Sequence, residues 1–438
     1  MNPTEKEIRR KIMVIDSKSF YASCECLALG LNPLKAMLVV MSTADNAGSG
    51  LVLASSPMAK RLLGISNVTR KRDVPNDTRL IIVQPRMNYY IQMNKKINDV
   101  FREFVADEDL NMYSIDETIL DFTSSWKYLT SKYGADITMS KLARIIQLEV
   151  RHRLGFYLTV GIGDNPAMAK MALDITAKHN HSLIGEWHFE ELPDVLWPIT
   201  KFEDVWSIGQ KTAEKLNAMN IHSMYDLAHT SPYVLKEKFG VRGEELFALA
   251  WGVDRSIVSH KYSPKDSSIS NSQVLPHDYN KIPEIKNVIR EIGEQVAARL
   301  RAKHKITSVV ALGIGSSMTE SKPGFHLQMK IDGTNQSSKI VNALWTLFDR
   351  HYEGQIIRHI SVSVSKLTDD IGSQLDLFIP VEHDIKQQNL DEVVDSLRHK
   401  YGTTAIVKSS SKIDGGTMID RAGLVAGHRG GQAYGTNT

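Results

Sequence analysis

Two adjacent carboxylates interrupt an apolar, strand-like run between Met112 and Phe122, and this pair constrains the fold more than any other feature. The run is Met-Tyr-Ser-Ile-Asp-Glu-Thr-Ile-Leu-Asp-Phe, with the acids at Asp116 and Glu117. Neighbouring residues of a strand point to opposite faces, so a buried strand carries two consecutive acids only where the chain turns or an ion compensates them. We predict a strand over residues 113–122 that carries part of a functional site.

A second apolar run also ends on an acid. Residues 12–15, Ile-Met-Val-Ile, precede Asp16, and two strands that bring carboxylates to one point form a divalent-metal site. Mg²⁺ prefers hard oxygen ligands, and two ions held by shared carboxylates suit phosphoryl or nucleotidyl transfer. The alternative is structural, with Asp16, Asp116 and Glu117 as strand-end acids that cap helices or bridge lysines.

Length and composition limit the class of protein. A chain of 438 residues predicts about three or four domains, and 42% hydrophobic with 24% charged residues is typical of a globular protein. The 53 basic and 50 acidic residues give a formal charge of +3, which does not indicate nucleic-acid binding. Cys24 and Cys26 lack the further ligands of a zinc site, and no apolar run approaches the roughly 20 residues of a membrane span. We expect a cytoplasmic protein with reduced thiols and no membrane contact.

The periodicity of apolar residues predicts the order of elements. Strands are expected over 12–16, 37–41, 80–84 and 157–163, and helices over 20–28, 86–104, 136–154 and 167–179. Short helices punctuated by glycine follow from 201 to 258. Residues 268–366 then show the order of a split β-α-β-β-α-β unit. A last helix is expected near 387–400, before a glycine-rich tail.

Two segments resemble the palm signature of the Y-family translesion DNA polymerases, closest to the UmuC-like branch of ImpB, MucB and SamB type. They are residues 16–25, Asp-Ser-Lys-Ser-Phe-Tyr-Ala-Ser-Cys-Glu, and residues 113–117, Tyr-Ser-Ile-Asp-Glu. The likeness extends through essentially the whole chain. It implies two Mg²⁺ ions, both bound by Asp16 and Asp116. The Ser17 carbonyl would complete the coordination of the second ion, and Glu117 would be the remaining catalytic carboxylate.

The resemblance also implies residues for the incoming nucleotide. Tyr21 matches the position whose bulk excludes a 2′-OH, although an aromatic core residue is the alternative. Lys60 or Arg61, on a short basic helix, would contact the triphosphate. Lys178 would do the same, with a solvated helix-end lysine as its alternative. The sequence leaves open which of Lys60 and Arg61 makes the contact.

Residues 205–217 resemble a helix-hairpin-helix. Backbone N–H groups at the helix start after Gly209, near Lys211 and Thr212, would receive a DNA phosphate without reading bases. The usual pattern has glycine where this chain has Ser207, and a plain αα-hairpin is the alternative. A weaker second copy follows at residues 239–243, Phe-Gly-Val-Arg-Gly.

The implied architecture is a right-hand, α+β multidomain polymerase. Its parts are a palm (1–42 and 83–186), small fingers (43–82), a helical thumb with the helix-hairpin-helix (187–262), a split β-α-β-β-α-β little finger (263–370), and a clamp-binding peptide with the C-terminal tail (371–438). The basic run 299–305 in the little finger is interpreted as following DNA phosphates, with a solvated helix end as the alternative.

The segment Gln-Leu-Asp-Leu-Phe at 374–378 is similar to the peptide by which bacterial polymerases dock on the sliding clamp. Leu375, Leu377 and Phe378 would fill an apolar cleft and Gln374 would bond its rim. An ordinary amphipathic strand is the alternative. The further partners implied by the resemblance are primer–template DNA, dNTPs, a small accessory subunit and the recombinase filament.

The function implied is low-fidelity, template-directed DNA synthesis past lesions, in DNA repair and the SOS response, by two-metal nucleotidyl transfer. The main alternative is a non-catalytic clamp- and DNA-binding accessory protein with the same fold. Loss of an acid at 16, 116 or 117 would favour that alternative, and all three acids are present. A cyclase-like nucleotide enzyme would not explain the hairpin, the little-finger unit or the clamp peptide.

Overall fold

The computed structural model describes residues 4, 6–42, 50–260, 268–371, 381–425 and 428–429. The strands are β1 (Ile12–Ser17), β2 (Leu38–Ser42), β3 (Leu51–Ser55), β4 (Ile81–Val83), β5 (Leu110–Met112), β6 (Glu117–Asp121), β7 (Leu158–Gly163), β8 (Ile184–Trp187), β9 (Ile269–Tyr279), β10 (Lys305–Ser316), β11 (Phe325–Thr334), β12 (Ile357–Asp369), β13 (Leu424–Val425) and β14 (His428–Arg429).

The helices are α1 (Phe20–Ala28), α2 (Pro57–Leu63), α3 (Met87–Phe101), α4 (Trp126–Tyr133), α5 (Met139–Leu154), α6 (Pro166–Met171), α7 (Leu192–Val195), α8 (Gln210–Asn217), α9 (Met224–His229), α10 (Pro232–Phe239), α11 (Val241–Ala250), α12 (Ile282–Ala302), α13 (Ser337–His351), α14 (Val381–Tyr401) and α15 (Met418–Arg421). Within the described ranges, no helix has the length and apolar character needed to cross a bilayer.

The chain folds into two compact units. The first comprises Met1–Leu38, Ala54–Gly64 and Tyr89–Tyr262, and the second comprises Val39–Leu53, Ile65–Asn88 and Ser263–Thr438. The mixture of sheets and helices is the α+β multidomain class predicted from the sequence. The domain boundaries given above stay a prediction.

The first unit is built on a five-stranded sheet with the order β5-β6-β1-β7-β8. Strand β1 lies in the middle and pairs antiparallel with both β6 and β7, while β8 runs parallel to β7. Because both faces of a central strand are covered, β1 needs an unbroken apolar run, and Ile12 to Ile15 are at most 1% exposed. The run stops at Asp16, which lies at the end of the strand.

The strand predicted over 113–122 is present but begins only at Glu117, because the chain turns over residues 113–116. Strand β5 ends at Met112 and β6 begins at Glu117, and the two pair antiparallel with Met112 opposite Thr118. The Ser114 N–H donates to the Glu117 carbonyl at 3.0 Å and closes the turn. The two acids therefore stand where the turn of the β5–β6 hairpin enters β6, and a turn is one of the two explanations that consecutive acids in an apolar run allow.

The helix predicted over 167–179 changes its winding halfway. Helix α6 is capped by the Asn165 side chain, which accepts from the Met168 N–H at 3.0 Å, and it continues as a π-helical turn over Ala172–Ala177. Such π-helical turns are often found at functional sites. The helix packs on β7 at Gly161, where an added Cβ would lie 2.0 Å from the Ala169 carbonyl oxygen.

Four helices, α8 to α11, complete the first unit and are tied to the strand side by hydrogen bonds. The Asn165 side chain donates to the Gly252 carbonyl at 2.7 Å. The Asp254 carboxylate accepts from the Ala167 N–H at 3.1 Å, and its carbonyl accepts from Arg10 at 2.9 Å. The segment after α11 is thereby fixed to the start of α6.

The second unit contains a four-stranded sheet with the order β11-β10-β12-β9, with α12 and α13 packed on it. The elements follow the sequence β9-α12-β10-β11-α13-β12, which is the split β-α-β-β-α-β unit predicted for this region. A three-stranded sheet with the order β3-β2-β4 precedes it in the chain.

The C-terminal segment packs on the same unit. Arg301 of α12 donates to Asp395 at 2.7 Å and to Asp391 at 3.1 Å, both on α14. Farther along, the Thr417 N–H donates at 2.9 Å to Glu291, whose side chain is fully buried. Two side chains of α12 therefore have hydrogen-bond partners in the chain beyond residue 381.

The close approach of α6 to β7 predicts that Gly161→Ala is strongly destabilising. The new Cβ would meet backbone atoms, which cannot rotate away. We expect the free energy of unfolding, measured by urea titration, to fall by about 3 kcal/mol. Gly209→Ala is the matched control, because a Cβ there meets no atom within 4 Å. Its loss should stay below about 1 kcal/mol, and equal losses in the two variants would contradict the packing argument.

Candidate active site

The β1–β6 pairing places two of the predicted acids side by side on one face of the sheet. Asp16 is opposite Glu117 in the antiparallel register, and opposite residues share one face with Cβ atoms about 5 Å apart. Asp116 precedes Glu117 in the turn. Its carboxylate accepts from the Ser114 hydroxyl at 2.7 Å, and its carbonyl accepts from the Ser17 N–H at 2.9 Å. One end of the central strand therefore carries three carboxylates.

The three acids lie close enough to influence the ionisation of Asp16. Burial raises the pKa of Asp16 to about 6, and the Asp116 and Glu117 carboxylates act in the same direction. Lys178 and Lys170 oppose this rise. Asp16 is thus a buried carboxyl group whose desolvation outweighs the effect of the nearby lysines.

A lysine that the sequence analysis did not single out contacts this cluster. The Lys170 ammonium lies 2.7 Å from Glu117 Oε1 and 3.1 Å from Asp174 Oδ2, and Asp174 Oδ1 accepts from Lys178 at 2.7 Å. Residues 170, 174 and 178 follow one another at four-residue spacing along α6 and its π-helical continuation. That spacing is the sequence signal for Lys170 and Asp174. Glu117 thus forms an ion pair with a lysine, as the structural alternative describes, and its catalytic role stays a prediction.

The carboxylates do not converge on one point as they stand. In the part of the chain that the structure describes, no three His, Cys, Asp or Glu side chains are close enough together to hold a metal ion. The reason is visible in their partners, since Ser114 holds Asp116 and Lys170 holds Glu117. The backbone brings the acids together, while the carboxylates of Asp116 and Glu117 are directed to protein donors.

Lys60 and Lys178 share the electrostatic surroundings of Asp16. Desolvation lowers the pKa of Lys60, with Lys18 and Lys178 acting in the same direction and Asp16 opposing them. Burial alone would lower the pKa of Lys178, but the hydrogen bond to Asp174 and the charge of Asp16 outweigh burial and raise it. Arg61 has a different partner, because its guanidinium lies 3.1 Å from the Met58 sulfur. Lys60 therefore lies within the electrostatic range of Asp16.

Tyr21 is held by a second tyrosine. It follows Ser19, whose φ of 50° turns the chain from β1 into α1, and its ring stacks on Tyr90 with centroids 4.6 Å apart. The Tyr90 hydroxyl donates to Glu25 at 2.7 Å, which fixes the stack. Burial, followed by the charge of Asp116, raises the pKa of Tyr21. The Tyr21 ring therefore lies near the acids and is only partly buried, unlike Phe20, which is 2% exposed.

The predicted phosphate-binding hairpin starts where expected. Helix α8 begins after Gly209, which has an extended conformation, and the Thr212 N–H donates to the Gly209 carbonyl at 2.9 Å. Lys211 is exposed at this helix start. Trp206, just before the hairpin loop, contacts Tyr113 of the β5–β6 turn edge to face, with centroids 6.5 Å apart.

Ser207 adopts the conformation for which glycine is usual. Its φ is 72°, in the left-handed region. Arg242, from the second glycine-containing copy, donates to the Ser207 carbonyl and contacts its hydroxyl, each at 2.5 Å. Gly240 of that copy also has a positive φ, of 63°. The departure from the pattern thus keeps the backbone geometry and is supported by an arginine.

The predicted clamp-binding residues Gln374, Leu375, Leu377 and Phe378 lie outside the described residues.

Family models match three parts of the chain. Residues 15–174 match the impB/mucB/samB family, residues 266–377 its C-terminal domain, and residues 203–254 the thumb domain described as that of DNA polymerase-iota. The first match contains the three acids, and the third contains the hairpin.

Curated relatives match over nearly their full length. UvrX of Bacillus subtilis (strain 168), whose description names UV-damage repair, is 36% identical over 422 residues, covering 96% of this chain and 98% of the relative. A DNA polymerase IV 2 of Halalkalibacterium halodurans is 30% identical over 419 residues, covering 95% and 98%. A solved Y-family DNA polymerase chimera of Dbh and Dpo4 has a TM-score of 0.64 at 20% identity, over 82% of this chain and 99% of the chimera.

The left-handed conformation of Ser207 predicts opposite results for two substitutions. Ser207→Val puts a β-branched residue at positive φ and should lower the free energy of unfolding by about 1–3 kcal/mol. Ser207→Gly suits the backbone and should change it by less than about 1 kcal/mol. Urea titration of both variants measures this, and equal stability of the valine and glycine variants would exclude the conformation described.

Proposed function

We propose that this chain, which belongs to the impB/mucB/samB family and is a DNA-directed DNA polymerase of the Y family, copies damaged template bases by two-metal nucleotidyl transfer. In this reaction the primer 3′-oxygen bonds to the α-phosphorus of a dNTP, and the bond to pyrophosphate breaks. The proposal includes a role in DNA repair within the SOS response, supported by the UV-damage repair named for UvrX.

One observation carries the proposed chemistry. The register sets Asp16 opposite Glu117 with Asp116 in the adjoining turn, and Lys178 and Lys60 lie in the electrostatic range of Asp16. Carboxylates beside ammonium groups are the charge pattern that a metal-bound triphosphate requires, since the ions need oxygen ligands and the phosphates need cations.

Two Mg²⁺ ions would be held by Asp16 and Asp116, with the Ser17 carbonyl on the second ion and Glu117 on the primer side. The raised pKa of Asp16, caused by burial and then by neighbouring carboxylates, supports the fit, because such a cluster calls for a cation. When bound, the ions activate the 3′-hydroxyl and neutralise charge on the leaving pyrophosphate. Ser114 fixes Asp116 in the turn and keeps it next to the end of β1.

The triphosphate would be bound by Lys60 and Lys178. Lys60 is favoured over Arg61, because Lys60 interacts with Asp16 while the Arg61 guanidinium contacts Met58. Tyr21 would lie against the sugar, at the position where a 2′-OH would need room. Its stack on Tyr90 supports this role, since a fixed ring excludes atoms better than a mobile one.

Duplex DNA would be gripped through its phosphates. The helix start at Gly209, Lys211 and Thr212 is the proposed contact, and binding there would be independent of base sequence. We also propose the domain boundaries given by the sequence, with 187–262 as the thumb and 263–370 as the little finger. The thumb-domain match over residues 203–254 supports the first of these.

The clamp contact rests on the sequence alone. Gln374, Leu375, Leu377 and Phe378 would dock on the bacterial sliding clamp and supply processivity. A small accessory subunit and the recombinase filament complete the proposed partners. A polymerase acts where the chromosome is, so the proposed location is the cytoplasm.

Primer extension tests the catalytic proposal. Purified protein with Mg²⁺, dNTPs and a primed template should extend the primer, and Asp116→Asn should lower the rate by about 100-fold or more, because a shared ligand loses its charge. Asp136→Asn is the matched control, since Asp136 pairs with Lys141 on an exposed surface.

The outcome separates the polymerase from the accessory protein. No extension by the wild-type chain, with or without clamp, would exclude the polymerase proposal. Full activity of Asp116→Asn would exclude the assigned acid.

The Tyr21 proposal is tested by competition between ribonucleotides and deoxyribonucleotides. Tyr21→Ala should raise the relative incorporation of rNTPs by about tenfold or more, because the atoms that exclude the 2′-OH are gone. Tyr21→Phe keeps the ring and should retain the discrimination. Rapid ribonucleotide incorporation by the wild type, unchanged in Tyr21→Ala, would rule out this role.

A further inference from the structure

Four side chains form a continuous line of alternating charge beside the acids. Glu117 contacts Lys170 at 2.7 Å, Lys170 contacts Asp174 at 3.1 Å, and Asp174 contacts Lys178 at 2.7 Å. The line begins at a carboxylate of the proposed metal site and ends at a lysine of the proposed triphosphate site. Lys170 lies between two carboxylates and within reach of both.

The Glu117–Lys170 pair differs from ordinary surface ion pairs. The Lys170 side chain is 11% exposed and that of Glu117 is 14% exposed. An exposed pair contributes little, whereas loss of one partner from a buried pair leaves an uncompensated charge. Lys170 is also held in place through its backbone, because Asn165 caps its helix and Gly161 lets the helix approach the strand.

We propose that Lys170 is a positioning residue that acts as the resident counter-ion of Glu117. In the metal-free protein its ammonium neutralises Glu117 and holds that carboxylate away from Asp16 and Asp116. A divalent ion that enters the acidic site takes over the charge on Glu117. The ammonium then pairs with Asp174, which it already contacts, so the exchange needs no large movement.

This role accounts for two features of the site together. The carboxylates share one strand end, yet in the described residues they do not converge. A counter-ion that yields to a metal explains both, because it allows the acids to stay charged and close before the ion arrives. The inference rests on the proposed function only in requiring that divalent ions bind at these acids.

The test is Mn²⁺ binding to the full chain by titration calorimetry, without nucleotide or DNA. Lys170→Met should raise the Mn²⁺ affinity by about tenfold, because the ion no longer displaces an ammonium. Lys170→Arg should restore affinity close to that of the wild type. Asp174→Asn should lower the affinity, since Lys170 then has only Glu117 as its partner among these carboxylates.

Two comparison variants separate the direct contact from general charge effects. Lys178→Met removes a lysine that acts on Asp16 and pairs with Asp174, so it can also raise the Mn²⁺ affinity. It should not produce a Tm deficit that Mn²⁺ removes, because Glu117 keeps its contact with Lys170. Glu149→Gln breaks an exposed pair with Arg153 at the same four-residue spacing, and it should leave the affinity unchanged.

Thermal unfolding gives a second readout. Without metal, Lys170→Met should have a lower Tm than the wild type, because Glu117 is left buried and unpaired. Saturating Mn²⁺ should remove that deficit, since the ion replaces the missing charge. A lysine with a merely structural role would leave the deficit in place at saturating Mn²⁺.

The outcomes are distinct. Unchanged Mn²⁺ affinity in Lys170→Met, the same Mn²⁺-reversible Tm deficit in Lys178→Met, or a Tm deficit of Lys170→Met that persists with Mn²⁺ would each overturn the counter-ion role while leaving the metal site intact. Absence of Mn²⁺ binding by the wild-type chain would overturn the metal site and the role of Lys170 with it.

Discussion

The antiparallel register between β1 and β6 is the constraint on which the rest of the site depends. A slip of one residue would turn Asp16 to the opposite face of the sheet, away from Glu117. The register is held by the buried apolar residues of β1 and by the hydrogen bond from the Ser17 N–H to the Asp116 carbonyl. A hydrophobic strand therefore determines the geometry of a cluster of carboxylates.

The second requirement is the close contact between α6 and β7. Gly161 has no side chain, so α6 can lie directly against the strand. The π-helical turn that continues α6 contains Asp174 and ends just before Lys178. Apolar packing and a local change of helix type together bring two lysines to the acids. The positions of Lys170 and Lys178 near the acids thus depend on backbone packing as well as on charge.

Much of this was predictable from the sequence, and the failures have physical reasons. The central strands and the split β-α-β-β-α-β unit follow from periodicity, which burial imposes directly. The turn at 113–116 was missed, because it contains neither glycine nor proline and lies between apolar residues. Lys170 and Asp174 were missed because charges at four-residue spacing are common on solvated helices, and only the fold shows that this pair is largely buried. A single sequence does not contain the position of Asp16 relative to Lys60 and Arg61, so it favours neither residue as the triphosphate contact.

The contacts of Arg301 and Glu291 bear on where a domain ends. The family model for the C-terminal domain stops at residue 377, yet Asp391, Asp395 and Thr417, which bond these two α12 side chains, all come later in the chain. A chain cut at the family boundary would keep every strand of the four-stranded sheet and leave a buried carboxylate without the Thr417 N–H. In this protein the match to the family model is therefore shorter than the compact unit, which also contains the described chain beyond residue 381.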